Sequence, residues 1–177
     1  MFLELRNSEK NMDYFIGDTH FGHQNILEFG RPGYKDIEDH NETLVSNWNS
    51  VVTHKNDRVY LMGDVAFSSQ YQYLARLNGK LTIVLGNHDY HSKIKIIQDI
   101  RPDVRLCGAV AYDKSFILTH IPVHPSQLEH RYSHNIHGHL HSFKIDDPRY
   151  INVSCEQINS TPISIEEIRK NILTDSQ

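Results

Sequence analysis

The stretch 81–89, LTIVLGNHD, constrains this chain most. Its first half, Leu81-Thr82-Ile83-Val84-Leu85, is an apolar run with β-branched residues and reads as a buried strand. The run stops at Gly86, where the missing Cβ lets the backbone turn sharply, and Asn87, His88 and Asp89 follow at once. In open α/β sheets, ligands bind beyond the carboxyl ends of the strands. A stretch of this kind therefore sets an amide, an imidazole and a carboxylate at the edge of a crevice. A single instance can also be a polar turn after a strand, so recurrence decides.

The pattern recurs. Tyr14-Phe15-Ile16 reads as a strand and runs into Gly17-Asp18-Thr19-His20, where Asp18 and His20 project to one side of an extended chain. The strand expected over 58–65, RVYLMGDV, carries Gly63-Asp64 at its end. A strand over 115–121 ends in Thr119-His120, and Asn135-Ile136-His137-Gly138 leads to His139-Leu140-His141, another pair at spacing two.

The segments between supply the rest of an α/β chain. Ile37, Leu44, Val45, Trp48, Val51 and Val52 have helical spacing within 36–52, with Trp48 expected under a sheet. A helix is expected over 68–77, capped by Ser68 or Ser69 and closed by Asn78-Gly79. A short helix over 91–100 is broken by Arg101-Pro102. Strands over 106–112 and 115–121 form a hairpin across Asp113-Lys114. The polar stretch 125–132 reads as a surface loop, and 150–155 as a strand. Ser164-Ile165-Glu166-Glu167 has capping-box spacing for a last helix with Ile165, Ile168 and Ile172 on its apolar face. Residues 1–11 read either as a short strand through Phe2, Leu3 and Leu5 or as a loose N-terminal extension.

A length of 177 residues suits one domain spanning 1–177. The net charge of −4 leaves no overall basic footprint for gripping nucleic acid. The 13 histidines are the unusual count, and histidine is the commonest metal ligand. Cys107 and Cys155 have no CxxC spacing and read as packed, reduced thiols of a cytoplasmic protein. No secretory leader pattern and no apolar run of bilayer length is present, so no membrane partner is expected.

Asp18-x-His20, Gly63-Asp64, Gly86-Asn87-His88-Asp89, His120 and Gly138-His139-x-His141 occur in that order. Together they resemble the signature of the calcineurin-like metallophosphoesterase superfamily, over residues 18–141. The DTHFGH start and the GDVAF segment resemble the compact bacterial and phage phosphoesterases. The resemblance implies an α/β fold: a β-sandwich of two mixed sheets flanked by helices, with the site at the strand ends.

It also implies a division of roles. Asp18, His20 and His141 would hold one divalent metal ion, and Asn87, His120 and His139 a second, with Asp64 bridging. Carboxylate, imidazole and amide-oxygen donors suit manganese first, with iron, zinc or nickel as alternatives. The implied reaction is hydrolysis of a phosphate monoester or diester by a hydroxide shared between the metals. His88 has the family's acid position. The orienting acid often found three residues after the bridging aspartate is here Phe67. Either Asp89 partly substitutes, or His88 acts as a hydrogen-bond donor.

His23, Asn25 and Arg31 are candidate substrate contacts, or else members of an ordinary polar loop. His40, His54, His91 and His130 read as surface residues, while His124, His134 and His137 are close in sequence to ligands and could support them. The expected partner is a phosphorylated small molecule or nucleotide. Two rivals stand beside this reading: a nuclease or cyclic-nucleotide phosphodiesterase, and a non-catalytic metal-binding scaffold for interactions.

Overall fold

The computed structural model describes residues 11–67 and 69–175. The proposed extra strand near Phe2–Leu5 and a cap at Ser68 lie outside these residues. Strand β1 (Asp13–Gly17) is followed by a single turn, α1 (Ile26–Phe29), and by α2 (Ile37–Val51). Then come β2 (Arg58–Met62), a 3-10 helix (Gln70–Arg76), β3 (Lys80–Val84), α3 (His91–Ile100) and β4 (Arg105–Cys107). The second half holds β5 (Val110–Tyr112), β6 (Phe116–Thr119), a 3-10 turn (Pro125–Leu128), β7 (His134–His137), β8 (Tyr150–Asn152), β9 (Ile163–Ser164) and α4 (Ile165–Asp175).

Two mixed sheets form. The first has the order β4-β3-β2-β1-β9, with β1 to β4 parallel and β9 antiparallel to β1. The second has the order β5-β6-β7-β8, antiparallel at β5–β6 and parallel from β6 to β8. Side chains alternate across a strand, and the first sheet is buried on both faces. Tyr14, Ile16, Val59, Leu61, Leu81 and Ile83 face a cluster with Leu44, Val45 and Trp48 of α2 and Ile97 of α3. Phe15, Met62 and Val84 face the other way, against Phe116, Leu118 and Ile136 of the second sheet and Ile165 and Ile168 of α4. The order of layers is thus helix, sheet, sheet, with α4 closing the side where β9 lies.

Trp48 packs under the first sheet as its spacing predicts. It is buried, and its indole N–H donates to the Asn78 carbonyl at 3.0 Å. Removing a ring of that size from a filled core costs about 3–5 kcal/mol. The capping box also forms: Ser164 Oγ accepts from Glu167 N at 3.2 Å, while the Glu167 carboxylate accepts from Ser164 N at 3.0 Å.

Three expectations are corrected. The run 106–112 is not one strand: the chain leaves the first sheet after Cys107 and enters the second at Val110, crossing at Gly108-Ala109. Within the helix expected over 68–77, Gln70–Arg76 form a 3-10 helix whose N-cap, Ser69, makes no side-chain cap bond. The second strand ends at Met62, because Gly63 turns the chain with φ +67.

Because β1, β2 and β3 run parallel, as do β6, β7 and β8, the carboxyl ends within each parallel set lie together. The His139 amide donating to the Asp18 carboxylate, and His120 Nδ1 against the Met62 carbonyl, join the ends of the two sets.

Candidate metal centre

The β1–β2 pairing continues past the strand ends as a ladder of loop bonds. Asp18 N donates to Gly63 O, His20 N to Asp64 O, Phe21 N to Val65 O, and Phe67 N to Phe21 O. Five residues singled out from sequence stand in left-handed backbone, Asp18, His20 and Asp64 in this ladder and His139 and His141 just beyond β7, with φ between 49 and 69. Non-glycine residues enter this region at a cost and are held there by their surroundings, as is common at functional sites. Two glycines make room. A Cβ on Gly86 would lie 2.3 Å from Asp64 Oδ1, and one on Gly138 would lie 2.5 Å from Asp18 Oδ2.

Asp18, His20, Asp64 and His120 are buried; His139 and His141 are half-buried, and Asn87 is exposed. Donor atoms of Asp18, His20 and His141 lie within 4.8 Å of one another, as do those of Asp18, Asp64 and His120. His20 Nε2 is 3.9 Å from Asp18 Oδ1 and 3.8 Å from Asp64 Oδ2, and it has no hydrogen-bond partner. His141 Nε2 is 3.9 Å from Asp18 Oδ1. These separations are too long for hydrogen bonds. They suit pairs of donors that share one ion about 2.1 Å from each.

Two rings are oriented from behind. His120 Nδ1 donates to the Met62 carbonyl at 2.8 Å. In the neutral ring Nε2 then carries a lone pair, and it faces Asn87 Oδ1 at 2.8 Å and Asp64 Oδ2 at 3.5 Å. An imidazole nitrogen, an amide oxygen and a carboxylate oxygen thus converge, a set of donors that suits a divalent cation. His141 repeats the design, with Nδ1 donating to Glu156 Oε1 at 2.9 Å and Nε2 turned toward Asp18.

The electrostatics of the bare protein agree. Burial pushes Asp18 up to about 6, although His120 and His141 pull it down. Burial and the nearby Arg31 charge lower His20, and burial also lowers His139. His141 is raised, chiefly by its hydrogen bond to Glu156. Burial thus favours neutral imidazoles at His20 and His139, the form that ligates a metal, so these residues fit a bound divalent cation.

Asp89 does not orient the His88 ring. Its carboxylate accepts from Asp64 N at 2.9 Å, Val65 N at 3.1 Å and Gly86 N at 2.8 Å, tying the β2 and β3 loops together. His88 N donates to Asp64 Oδ1 at 3.0 Å, which fixes that carboxylate. The His88 ring packs near Phe67, with centroids 5.1 Å apart.

Of the candidate substrate contacts, Asn25 is exposed and His23 half-buried, with its ring 4.1 Å from Phe67. Arg31 is turned inward. Its guanidinium donates to the Asp18 and Thr19 carbonyls, to Glu156 and to His40 Nε2, so it supports the loop from beneath. His40, expected at the surface, is fully buried, and burial and then Arg31 lower it to about 4. His54, His91 and His130 are exposed as expected. His137 is buried, with Nδ1 against Gly138 O, while His124 is exposed and faces Ser126.

Glu156 was not singled out from sequence. The signal was there: it is a polar residue just beyond the strand expected over 150–155, the same rule that marked the other segments.

No family model matches the chain. The uncharacterized protein MJ1445 of Methanocaldococcus jannaschii is 34% identical over 178 residues, covering 90% of each chain. The chain belongs to the same family as that archaeal protein. A shorter match, 35% identical over 82 residues, joins 43% of this chain to 39% of the Gene 66 protein of Mycobacterium phage L5. Among solved structures, the protein of unknown function AQ665 from Aquifex aeolicus superposes with a TM-score of 0.71 at 24% identity, over 91% of this chain and 99% of that one. A novel archaeal phosphodiesterase superposes with a TM-score of 0.52 at 19% identity, over 86% and 98% of the two chains. Both structural likenesses concern the fold. Among the described residues, no helix is long and apolar enough to cross a membrane.

Proposed function

We propose that this chain is a calcineurin-like, metal-dependent phosphoesterase that hydrolyses a phosphate monoester or diester at two divalent cations. The observation that carries the reading is the convergence of ligand-type nitrogen and oxygen atoms: His120 Nε2, Asn87 Oδ1 and Asp64 Oδ2 on one side, and the unpartnered His20 Nε2 between Asp18 and Asp64 on the other. Asp18, His20 and His141 would hold one ion, Asn87, His120 and His139 the second, and Asp64 would serve both. Manganese suits these donors, as do iron, zinc and nickel. When bound, such a pair supplies a water acidified from about 15.7 toward 7 and positive charge against the phosphoryl oxygens.

The chain's own residues do the rest. The Met62 carbonyl and Glu156 keep the outer nitrogens of His120 and His141 protonated, so their inner nitrogens remain available as ligands. Asp89 and the His88 amide hold the Asp64 loop and carboxylate in place. The His88 imidazole stands at the half-exposed mouth, where it can donate to a leaving oxygen. The archaeal phosphodiesterase that shares the fold supports the same reaction class.

The test is hydrolysis by the manganese-loaded protein of a panel of monoesters, diesters, cyclic nucleotides and single-stranded DNA, with and without chelator. Chelator-sensitive turnover of at least one ester is expected. Turnover that survives verified metal removal would overturn the reading.

A further inference from the structure

Resting on the phosphoesterase reading, we infer that His23 donates its Nε2–H to a non-bridging phosphoryl oxygen of the substrate. Of the three polar residues weighed as substrate contacts, Arg31 turns inward to the Asp18 and Thr19 carbonyls, and Asn25 is exposed at the start of α1. His23 has its ring against the cluster. Its centroid lies 5.3 Å from that of His20, whose Nε2 stands between Asp18 and Asp64. The His88 ring is farther from His20, at 6.3 Å. His23 is therefore the nearer of these two imidazoles to the Asp18 and His20 side of the centre.

The place of His23 is built from both directions. Its amide donates to the His20 carbonyl and its carbonyl accepts from Ile26 N, each at 3.0 Å, and Ile26 is buried. Gly22 before it has φ +75, donates to Asn41 Oδ1 at 3.1 Å, and leaves no room for a Cβ against Gln70. The His23 ring packs on Phe67 with centroids 4.1 Å apart, and the other rings that Phe67 meets are His20 at 5.2 Å and His88 at 5.1 Å. Packing on Phe67, rather than a hydrogen bond, thus fixes the His23 ring. A carboxylate three residues after Asp64 would offer no such face.

The hydrogen-bonding state of the ring directs its proton to the mouth. Nδ1 is buried and has no partner, and among the described residues Nε2 has no acceptor either. A buried N–H without an acceptor is the rarer orphan. The neutral ring accordingly keeps its one proton on Nε2, the end of this half-buried side chain that is not sealed off. An N–H held rigidly beside the cluster and left without an acceptor by the protein is a donor for an anionic ligand. His88 remains the group placed for the leaving oxygen, so the two imidazoles serve different oxygens of one phosphoryl group.

The experiment compares wild type, His23→Phe and His23→Gln, all manganese-loaded with metal quantified. Phenylalanine keeps a ring on Phe67 and removes the N–H. Glutamine removes the ring and keeps an N–H at about the reach of Nε2. The readouts are binding of inorganic phosphate by calorimetry and kcat/KM on an alkyl and a nitrophenyl ester of the same phosphate. His23→Phe should keep its metal and bind phosphate roughly 10- to 100-fold more weakly, the range for one hydrogen bond to a charged group. It should lose kcat/KM by a similar factor on both esters, and His23→Gln should recover most of both losses. Unchanged phosphate affinity in His23→Phe would overturn the proposal, as would an equal loss in His23→Gln. So would a loss confined to the alkyl ester, which would make His23 a leaving-group acid, or a loss of metal, which would make it a ligand. A wild type with no metal-dependent hydrolysis would remove the phosphoesterase reading instead, and the phosphate affinities would still decide the His23 contact.

Discussion

Replacing Glu156 by glutamine tests the support of the metal centre most sharply. Its carboxylate is 6% exposed and receives two charged or polarised donors, Arg31 Nε and His141 Nδ1, each at 2.9 Å. Burial alone would raise this acid, but the His141 hydrogen bond and the Arg31 charge override it and hold the group at about 2, against a usual 4.5. At about 1.36 kcal/mol per pH unit, that gap corresponds to on the order of 3 kcal/mol of stability. Because the folded value is depressed, the contribution is complete above about pH 4.5 and is lost as pH falls toward 2.

Glu156→Gln keeps the shape but leaves the buried Arg31 charge without its carboxylate. The metal-free variant should melt roughly 6–12 °C below wild type at neutral pH, at about 2–4 °C per kcal/mol for a chain of this size. The difference should shrink as both proteins are titrated from pH 4.5 toward 2. Metal affinity, measured by calorimetry at neutral pH, should fall about 10- to 100-fold because His141 loses its orienting acceptor. A variant that melts with wild type and binds manganese equally well would refute this role. A melting gap that persists unchanged to the acid end would refute the electrostatic origin.

Two further outcomes are expected. His88→Ala should retain its metal and lose kcat by roughly 10²-fold, the low end for general acid catalysis, on an ester with a poor leaving group, and much less on a nitrophenyl ester. The low end follows from the surroundings of His88, where Phe67 stands in place of an orienting carboxylate. Equal losses on both esters would reject a leaving-group role. Gly86→Ala should fold, by circular dichroism, yet lose metal, because the new Cβ would meet Asp64 Oδ1 at 2.3 Å and Asp64 N at 2.5 Å. Undiminished metal content would show that the loop yields instead.

Much of this was legible because strand and site share one code: an apolar run, a glycine, then polar donors. That code singled out Asp18, Asp64, Asn87, His139 and His141, and His120 follows its strand without a glycine; each lies at or just beyond a strand end. The illegible parts depend on which way a chain or side chain turns. Nothing in the sequence says that Asp89 faces the backbone of Asp64 and Val65 rather than His88. The crossing between sheets at Gly108-Ala109 is hidden because the residues on both sides have strand character. His40 and Arg31 look like surface polar residues, yet each satisfies the other's buried nitrogen, a pairing that only the fold creates. The Met62 carbonyl that orients His120 is backbone and leaves no trace in residue type.

The central claim is that Asp64 joins two cations in one cluster. Its most direct test is the number of metal ions per chain after manganese loading, measured by elemental analysis on wild type and on Asp64→Asn. The amide keeps the shape of the side chain but removes its charge and turns hydrogens toward the site. Wild type should hold about two ions, and Asp64→Asn should lose affinity for both, not for one alone. A wild-type chain that holds no ion, or an Asp64→Asn chain with the full wild-type count, would contradict the account.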